Sequence, residues 1–296
     1  MKRIKNKRSL VTIISIILVV FAGLAIPSYI WAKDNVKYLR TVYTSKMSPI
    51  IMIPGSSASQ YRFDKLVTQL NKKYGYQHSL LRLKVYNDGK ISYSGTMRSQ
   101  DTEPIIVVGF ENNHDGYDNI KKQAKMFSDA LTVLQDKYHF NNFKAIGHSN
   151  GGLIYTSFIE QYLSKHDIKM KKLMTIGSPY NFSEDSTTNK TEMLADFIKN
   201  REKIPKILTV YSIAGTENYT SDGLVPESSV RAGKYIYQNQ VKHFTEMTVT
   251  GDDAQHSDLP QNSEIIRVIQ DYIVQNHVRP NNNNRTRRQP KANQDE

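Results

Sequence analysis

The sequence predicts an α/β fold: a mostly parallel central sheet with helices on both faces, preceded by one N-terminal transmembrane or signal helix. Three observations carry this expectation. Apolar runs of strand length alternate with stretches of helical spacing, the order that a parallel sheet with covering helices requires. The pentapeptide Gly147-His148-Ser149-Asn150-Gly151 directly follows one such run and reads as strand, sharp turn, helix. A basic and then apolar segment opens the chain. Of the 296 residues, about 230 remain when that segment and a polar tail are set aside, enough for one large domain. The expected division is residues 1–32 as the basic N-terminus with its signal or anchor segment, 33–47 as a linker, 48–275 as the folded domain, and 276–296 as a disordered basic tail.

Taken in order, residues 1–8 carry five positive charges, and a nearly uninterrupted apolar run follows from residue 10 to residue 26. A basic flank before an apolar run implies export with the basic end inside. A cleaved signal peptide could end after Ala25 or Ala32. An uncleaved helix needs about 20 apolar residues. The run nearly supplies them, and Tyr29 and Trp31 suit the outer interface, so the anchor is the preferred reading.

The run Ile50-Ile51-Met52-Ile53 reads as a strand, and a helix follows with Phe63, Leu66, Val67 and Leu70 on one face. Residues 80–93 alternate around Asn87-Asp88-Gly89, a hairpin signal that predicts an antiparallel extension at one sheet edge. A charged helix spans about residues 119–137 and leads into Phe143-Lys144-Ala145-Ile146. Beyond the pentapeptide, Leu153, Ile154, Phe158, Ile159 and Tyr162 recur at helical spacing. Strands are expected at 173–176, 207–213 and 244–249, and a final helix presents Ile265, Val268, Ile269, Tyr272 and Ile273. Residues 178–203 hold a polar loop and a short amphipathic stretch with Met193, Leu194, Phe197 and Ile198. They form either a cap over the site or a plain surface connection.

The chemistry starts at Ser149. Gly-x-Ser-x-Gly between strand and helix is the pattern of a nucleophile elbow, in which a strained turn lifts the serine Oγ clear of the backbone. Small residues at Gly147, Gly151 and Gly152 leave room for the returning helix. Acid and base then follow in the order Ser, Asp, His. The loop after residue 213 carries Ser221-Asp222-Gly223, and the loop after residue 249 carries His256-Ser257-Asp258. Both loops fall at the C-terminal edge of a parallel sheet, where ligands of such sheets bind. Of the eight histidines, His78, His114 and His139 precede the serine, and His148 points the wrong way to be its own base. His166 and His277 lie in polar stretches, and His243 opens the last strand. His256 alone follows the last strand and precedes the final helix, with His243 as the next choice. Asp222 is preferred to Glu217 and Glu227 because Asp-Gly makes a tight turn over Leu224-Val225-Pro226. Two backbone N–H groups must face a developing oxyanion. Asn150, after the serine, supplies one, and Ser56 in the Pro54-Gly55-Ser56 loop supplies the other.

Together, Pro54-Gly55-Ser56, Gly147 to Gly152, Gly177-Ser178-Pro179, Ser221-Asp222-Gly223 and His256-Ser257 resemble the α/β-hydrolase superfamily. The likeness is to lipase-like hydrolases exported by Gram-positive bacteria, and it covers residues 48–275. Many relatives have His-Gly where this chain has Pro54-Gly55, and a Met-like residue where it has Asn150. The latter position contributes its backbone. The resemblance implies an extracytoplasmic serine hydrolase cleaving carboxylic esters with Ser149, Asp222 and His256, without cofactor or metal. The contrasting expectation is a catalytically silent fold used as a surface binding module.

Composition narrows the alternatives. The chain has no cysteine, which excludes a cysteine nucleophile and any cysteine metal site. Asp252, Asp253 and Asp258 beside His256 read as solvated acids, since no paired-histidine spacing supports zinc. The net charge is +12, but residues 1–8 contribute five of those charges and the tail from Arg279 a net three. The folded part is thus mildly basic. No basic–aromatic interleaving marks a nucleic-acid surface. The partners expected are a small-molecule or lipid ester and, through the N-terminal segment, a membrane.

Overall fold

The inner strands of the central sheet are covered on both faces, and this explains why Ile50–Ile53 and Ile105–Phe110 read as near-unbroken apolar runs, whereas Leu80–Val85 nearer the edge alternates. A computed structural model of the chain describes residues 2–42, 44–186 and 188–274. The tail expected at 276–296 lies outside the described residues. Helix α1 (Lys2–Val42) comes first, and its segment Leu10–Lys33 has a mean hydropathy of 2.7 with no burial. Among the described residues it is the one helix long and apolar enough to cross a membrane. The helix continues past residue 32, through the first part of the segment assigned above to a linker.

The folded part runs β1 (Ile50–Ile53), α2 (Asp64–Tyr74), β2 (Leu80–Val85), β3 (Ile91–Gly95), β4 (Ile105–Phe110), α3 (Tyr117–Tyr138), β5 (Asn142–His148) and α4 (Asn150–Gln161). It continues with β6 (Lys169–Ile176), α5 (Glu192–Asn200), β7 (Thr209–Thr216), the short helices α6 (Glu227–Arg231) and α7 (Lys234–Tyr237), β8 (His243–Thr250) and α8 (Ser263–Tyr272). The eight strands form one sheet in the order β3-β2-β4-β1-β5-β6-β7-β8. Every pairing is parallel except β2 with β3, the hairpin turning at Asn87-Asp88-Gly89, which adds an antiparallel edge strand as expected. β4 is not among the strands the motif-led reading names. Its six residues are all buried, the pattern of a strand covered on both faces.

Strand β1 shows how the layers divide. Ile51 and Ile53 join Phe127, Leu131, Leu153 and Phe158 on the face covered by α3, α4 and α5. Ile50 and Met52 face the opposite way and join Leu66, Leu70, Ile265 and Ile269 from α2 and α8. Phe127 meets Tyr155 and Phe158 edge-on at 5.2 and 4.8 Å, which locks α3 against α4. The Tyr155 hydroxyl crosses to the sheet and donates to the Ile51 carbonyl at 2.8 Å. Helix α8 starts where Asn262 Oδ1 accepts from the N–H groups of Glu264 and Ile265 at 2.8 and 3.1 Å, satisfying two orphan donors. Helix α5 buries Met193, Leu194 and Phe197 in the core beside α4, so the amphipathic stretch belongs to the body of the domain.

Among the ionisable side chains buried in this interior, two positions stand out. Lys144, in the middle of β5, pairs with the buried Glu103 and also donates to the Ile273 carbonyl at 3.0 Å. The pair ties the N-terminal ends of β4 and β5 to the end of α8. Removing one partner would strand the other as a buried charge, at a cost of about 3–5 kcal/mol.

The second is Glu160, 5% exposed near the end of α4, whose Oε1 meets no hydrogen-bond partner among the described residues. Burial pushes its carboxyl up to about 9, with Lys203 opposing the shift and Asp196 adding to it. Its folded pKa therefore lies above the ordinary value of about 4.3. Below that ordinary value both states hold the proton and nothing is lost. As the pH rises above it, only the unfolded chain ionises, so stability falls until the pH reaches about 9. Glu160→Gln removes this ionisation. Thermal melts should show the variant gaining on the wild type steadily between pH 5 and pH 9, and a gap that does not change with pH would refute the assignment.

Candidate active site

Ser149 lies between β5 and α4 with φ 55° and ψ −126°, a strained conformation for a residue with a side chain. The surrounding backbone holds it there. Its N–H donates to the Ile176 carbonyl at 2.8 Å, and the Gly152 N–H returns to the Ser149 carbonyl at 3.1 Å. A Cβ on Gly151 would run into the Ile53 carbonyl, and one on Gly147 into Gly151 and Gly152. The glycines of the pentapeptide are thus required by close backbone approach, as the motif implies. Gly55 makes the matching approach from the loop after β1, where a Cβ would stand 2.6 Å from Ser149 Cβ. The Pro54-Gly55-Ser56 loop is thereby brought directly against the serine.

The loops after β7 and β8 bring Asp222 and His256 together. Asp222 is 2% exposed and His256 9%. His256 Nδ1 lies 2.7 Å from Asp222 Oδ2. The other carboxylate oxygen, Oδ1, accepts from the N–H groups of Leu224 and Val225 at 3.1 and 2.7 Å. The His256 N–H donates to the Asp222 carbonyl at 2.8 Å, so backbone and side chain both fix the pair. An aspartate that orients an imidazole needs this full set of partners, because a buried carboxylate is costly otherwise.

The competing acids are engaged elsewhere. Glu227 accepts from Arg231 and from Thr248 Oγ1, each at 2.9 Å. Glu217 packs beside Gly223. His243 opens β8 at the N-terminal edge of the sheet and is exposed there, at the far end of the strand from the loop that bears His256. His78 and His166 are occupied by the Glu103 carbonyl at 2.7 Å and the Ser128 hydroxyl at 2.8 Å.

Three supporting residues went unrecognised in the sequence. His148, next to the serine, lies with its ring 4.8 Å from that of His256, and its Nε2 donates to the His256 carbonyl at 2.9 Å. Burial holds its pKa well below the ordinary range, and the neighbouring His256 lowers it further. It therefore sits neutral beneath the His256 loop and couples that loop to the elbow. Gly177, at φ 57°, ends β6 where a Cβ would approach both Asp222 Oδ2 and His256 Nδ1 at 3.2 Å. Arg62, between β1 and α2, donates to the Ser257 carbonyl and to Gln261 Oε1, the latter at 3.1 Å, and pins the same loop from outside. The glycine was quoted with the motifs, but its task needs the loops in place. Neither His148 nor Arg62 carries a sequence signal for this work.

A cavity of about 400 Å³ opens at the serine, with Ser56, Asp115, Ser149, Asn150, Phe182 and Leu224 among its lining residues. Ser56 and Asn150 both reach it. The Ser57 N–H is taken by the Asn113 carbonyl at 2.9 Å. Asn150 is the first residue of α4, where N–H groups have no partner within the helix. Its side chain has work of its own, since Nδ2 donates to Asp115 Oδ1 at 2.8 Å.

Comparison with known proteins agrees with the fold. A family model described as alpha/beta hydrolase of unknown function (DUF915) matches residues 39–276. The crystal structure of a Lactobacillus plantarum protein assigned as a cell surface hydrolase is similar at 56% identity and a TM-score of 0.72, over 77% of this chain and 92% of that one. The crystal structure of a gene product from Listeria innocua is similar at 30% identity and a TM-score of 0.71, over 76% of this chain and 92% of that one. No curated protein matches the sequence. With its mostly parallel eight-stranded sheet and a family match over most of its length, the chain belongs to this alpha/beta hydrolase family.

Proposed function

We propose that the chain is an extracytoplasmic serine hydrolase that cleaves carboxylic esters, with Ser149 as nucleophile, His256 as general base and Asp222 as its orienting acid. The observation that carries the reading is the 2.7 Å contact of His256 Nδ1 with a buried, fully satisfied Asp222, beside the elbow that presents Ser149. In this reading Asp222 fixes the tautomer that leaves Nε2 free to accept a proton. Ser149 Oγ attacks the acyl carbonyl as His256 takes its proton. The N–H groups of Ser56 and Asn150 stabilise the oxyanion. His256 then delivers the proton to the leaving alcohol, and water repeats the cycle on the acyl-enzyme. Export is supported by the apolar helix at Leu10–Lys33 and by the cell-surface assignment of the Lactobacillus relative.

A fluorophosphonate probe separates this reading from a silent binding module. The purified protein should be labelled at Ser149, and p-nitrophenyl esters of graded chain length should be hydrolysed. Ser149→Ala and His256→Ala should each remove most of this turnover, and the double variant should be little worse than either, because the two residues act as a unit. Losses that multiply would disconnect His256 from Ser149. Asp222→Asn should lower kcat by as much as about 10⁴-fold through the wrong imidazole tautomer, whereas alanine at Glu217 or Glu227 should keep activity within about tenfold. Near-normal turnover in Asp222→Asn would remove the acid from the scheme. Finally, protease applied to intact cells should release or destroy the folded domain. Its survival together with fractionation into cytosol would refute export.

A further inference from the structure

The cavity at Ser149 carries a charge preference opposite to that of the whole chain. The net charge is +12, yet no lysine or arginine lines this cavity. Its one charged lining residue is Asp115, from the loop between β4 and α3. The neighbouring groove, which shares Leu224 with the cavity, repeats the pattern, lined by Asp185 and Glu227 and by no basic side chain.

Asp115 is solvent-exposed, but its carboxylate has a partner at the site. Its Oδ1 accepts from Asn150 Nδ2 at 2.8 Å, and Asn150 is the residue that follows the serine. The bond fixes the carboxylate relative to the elbow. Phe182 also lines the cavity, half-buried against the core, and holds φ 52°, an unfavourable value for an aromatic residue. Strain of this kind persists where surrounding structure over-determines it, often at ligand clamps. A carboxylate and an aromatic ring lining one cavity are the two groups that recognise an ammonium ion, by Coulomb attraction and by the ring quadrupole.

We propose that Asp115 is a specificity-determining residue, and that with Phe182 it selects esters bearing an ammonium group close to the scissile carbonyl. This rests on the serine-hydrolase reading of the same cavity. The carboxylate would also disfavour esters with an anionic group there, since like charges repel at that range. Asp115 makes no bond to the reacting atoms and has no part in proton transfer. Its effect falls on which substrate binds, and so on kcat/KM.

The test uses isosteric pairs with the full-length protein in detergent. On the acyl side, p-nitrophenyl esters of trimethylglycine and of 3,3-dimethylbutanoic acid differ in having nitrogen or carbon at one atom. On the alcohol side, butyrylcholine and 3,3-dimethylbutyl butyrate differ in the same way. The readout is the cationic-to-neutral ratio of kcat/KM, after subtraction of the uncatalysed rate. Any loss common to both esters cancels within a variant. In Asp115→Asn the ratio should fall by about threefold to tenfold for at least one pair, the expected scale for one partly solvated charge. Asp115→Glu should restore most of it. In the wild type the same ratio should decline with added salt, a measurement that needs no variant. Whichever pair responds places the ammonium on the acyl or the alcohol side. If both neutral esters are hydrolysed but neither ratio moves with Asp115→Asn or with salt, the inference is overturned while the hydrolase reading stands. If no ester is turned over and the fluorophosphonate probe leaves Ser149 unlabelled, both fall together.

Discussion

The site depends on one close approach of backbone to backbone, where the end of β1 and its following loop press against the elbow. The Ile53 carbonyl occupies the space a Cβ on Gly151 would need, and Gly55 touches the Ser149 side chain. This contact fixes the elbow in a conformation that costs about 1–3 kcal/mol in isolation. The sheet bears that cost through the bond from the Ser149 N–H to Ile176 and through the packing of α4 against β1. A side chain at any of these glycines would separate the layers before it changed any chemistry. The strained serine and the apolar core are therefore one arrangement and not two.

Around that contact the acid and the base are both fully held, while His148 Nδ1 meets no partner among the described residues. Asp222 has a partner for each oxygen, and His256 is held by side chain and backbone alike. His148 is kept neutral by burial, and so it can support the His256 loop without placing a second positive charge beneath it. A protonated ring there would oppose the imidazolium that the proposed cycle forms on His256, by like-charge repulsion in a poorly solvated place. Arg62 closes the loop from the outer side, where its charge is partly solvated. The opposite end of the sheet is secured by other means, the buried pair of Lys144 and Glu103 reaching the last turn of α8. Buried pairs of this sort add little stability net of desolvation, but they tolerate no single substitution. They fix which ends meet.

The charges of the chain are distributed by task. Five of the net twelve sit in residues 1–8, ahead of the apolar segment Leu10–Lys33, the order that the proposed export would use to keep the basic end inside. The cavity at Ser149, in contrast, is lined by one carboxylate, hydroxyl groups and apolar side chains. Net charge alone would have suggested affinity for anions, whereas the lining of the cavity points the other way. Bulk electrostatics and local recognition act over different distances, since solvent and salt screen the former within about 10 Å.

What the sequence determined by itself was what depends on local spacing. Period and run length set the strands and helices, and Asn87-Asp88-Gly89 set the hairpin. The glycines of the pentapeptide set the elbow, and chain order singled out Asp222 and His256, which the fold does bring into contact. β4 was harder to read because its six buried residues carry no turn chemistry or alternation to announce them. Tertiary structure alone decided the remainder, because those relations join residues far apart in the chain. His148 beneath His256, Arg62 against Ser257, and Asn150 bonded to Asp115 each connect residues whose own neighbours in sequence say nothing of the partner. It also decided the burial of Lys144 and Glu160, two charges that any reading of pattern places in water. Local sequence encodes backbone periodicity, because the forces that set it act over a few residues. The environment of a charge is set by what the whole chain packs around it.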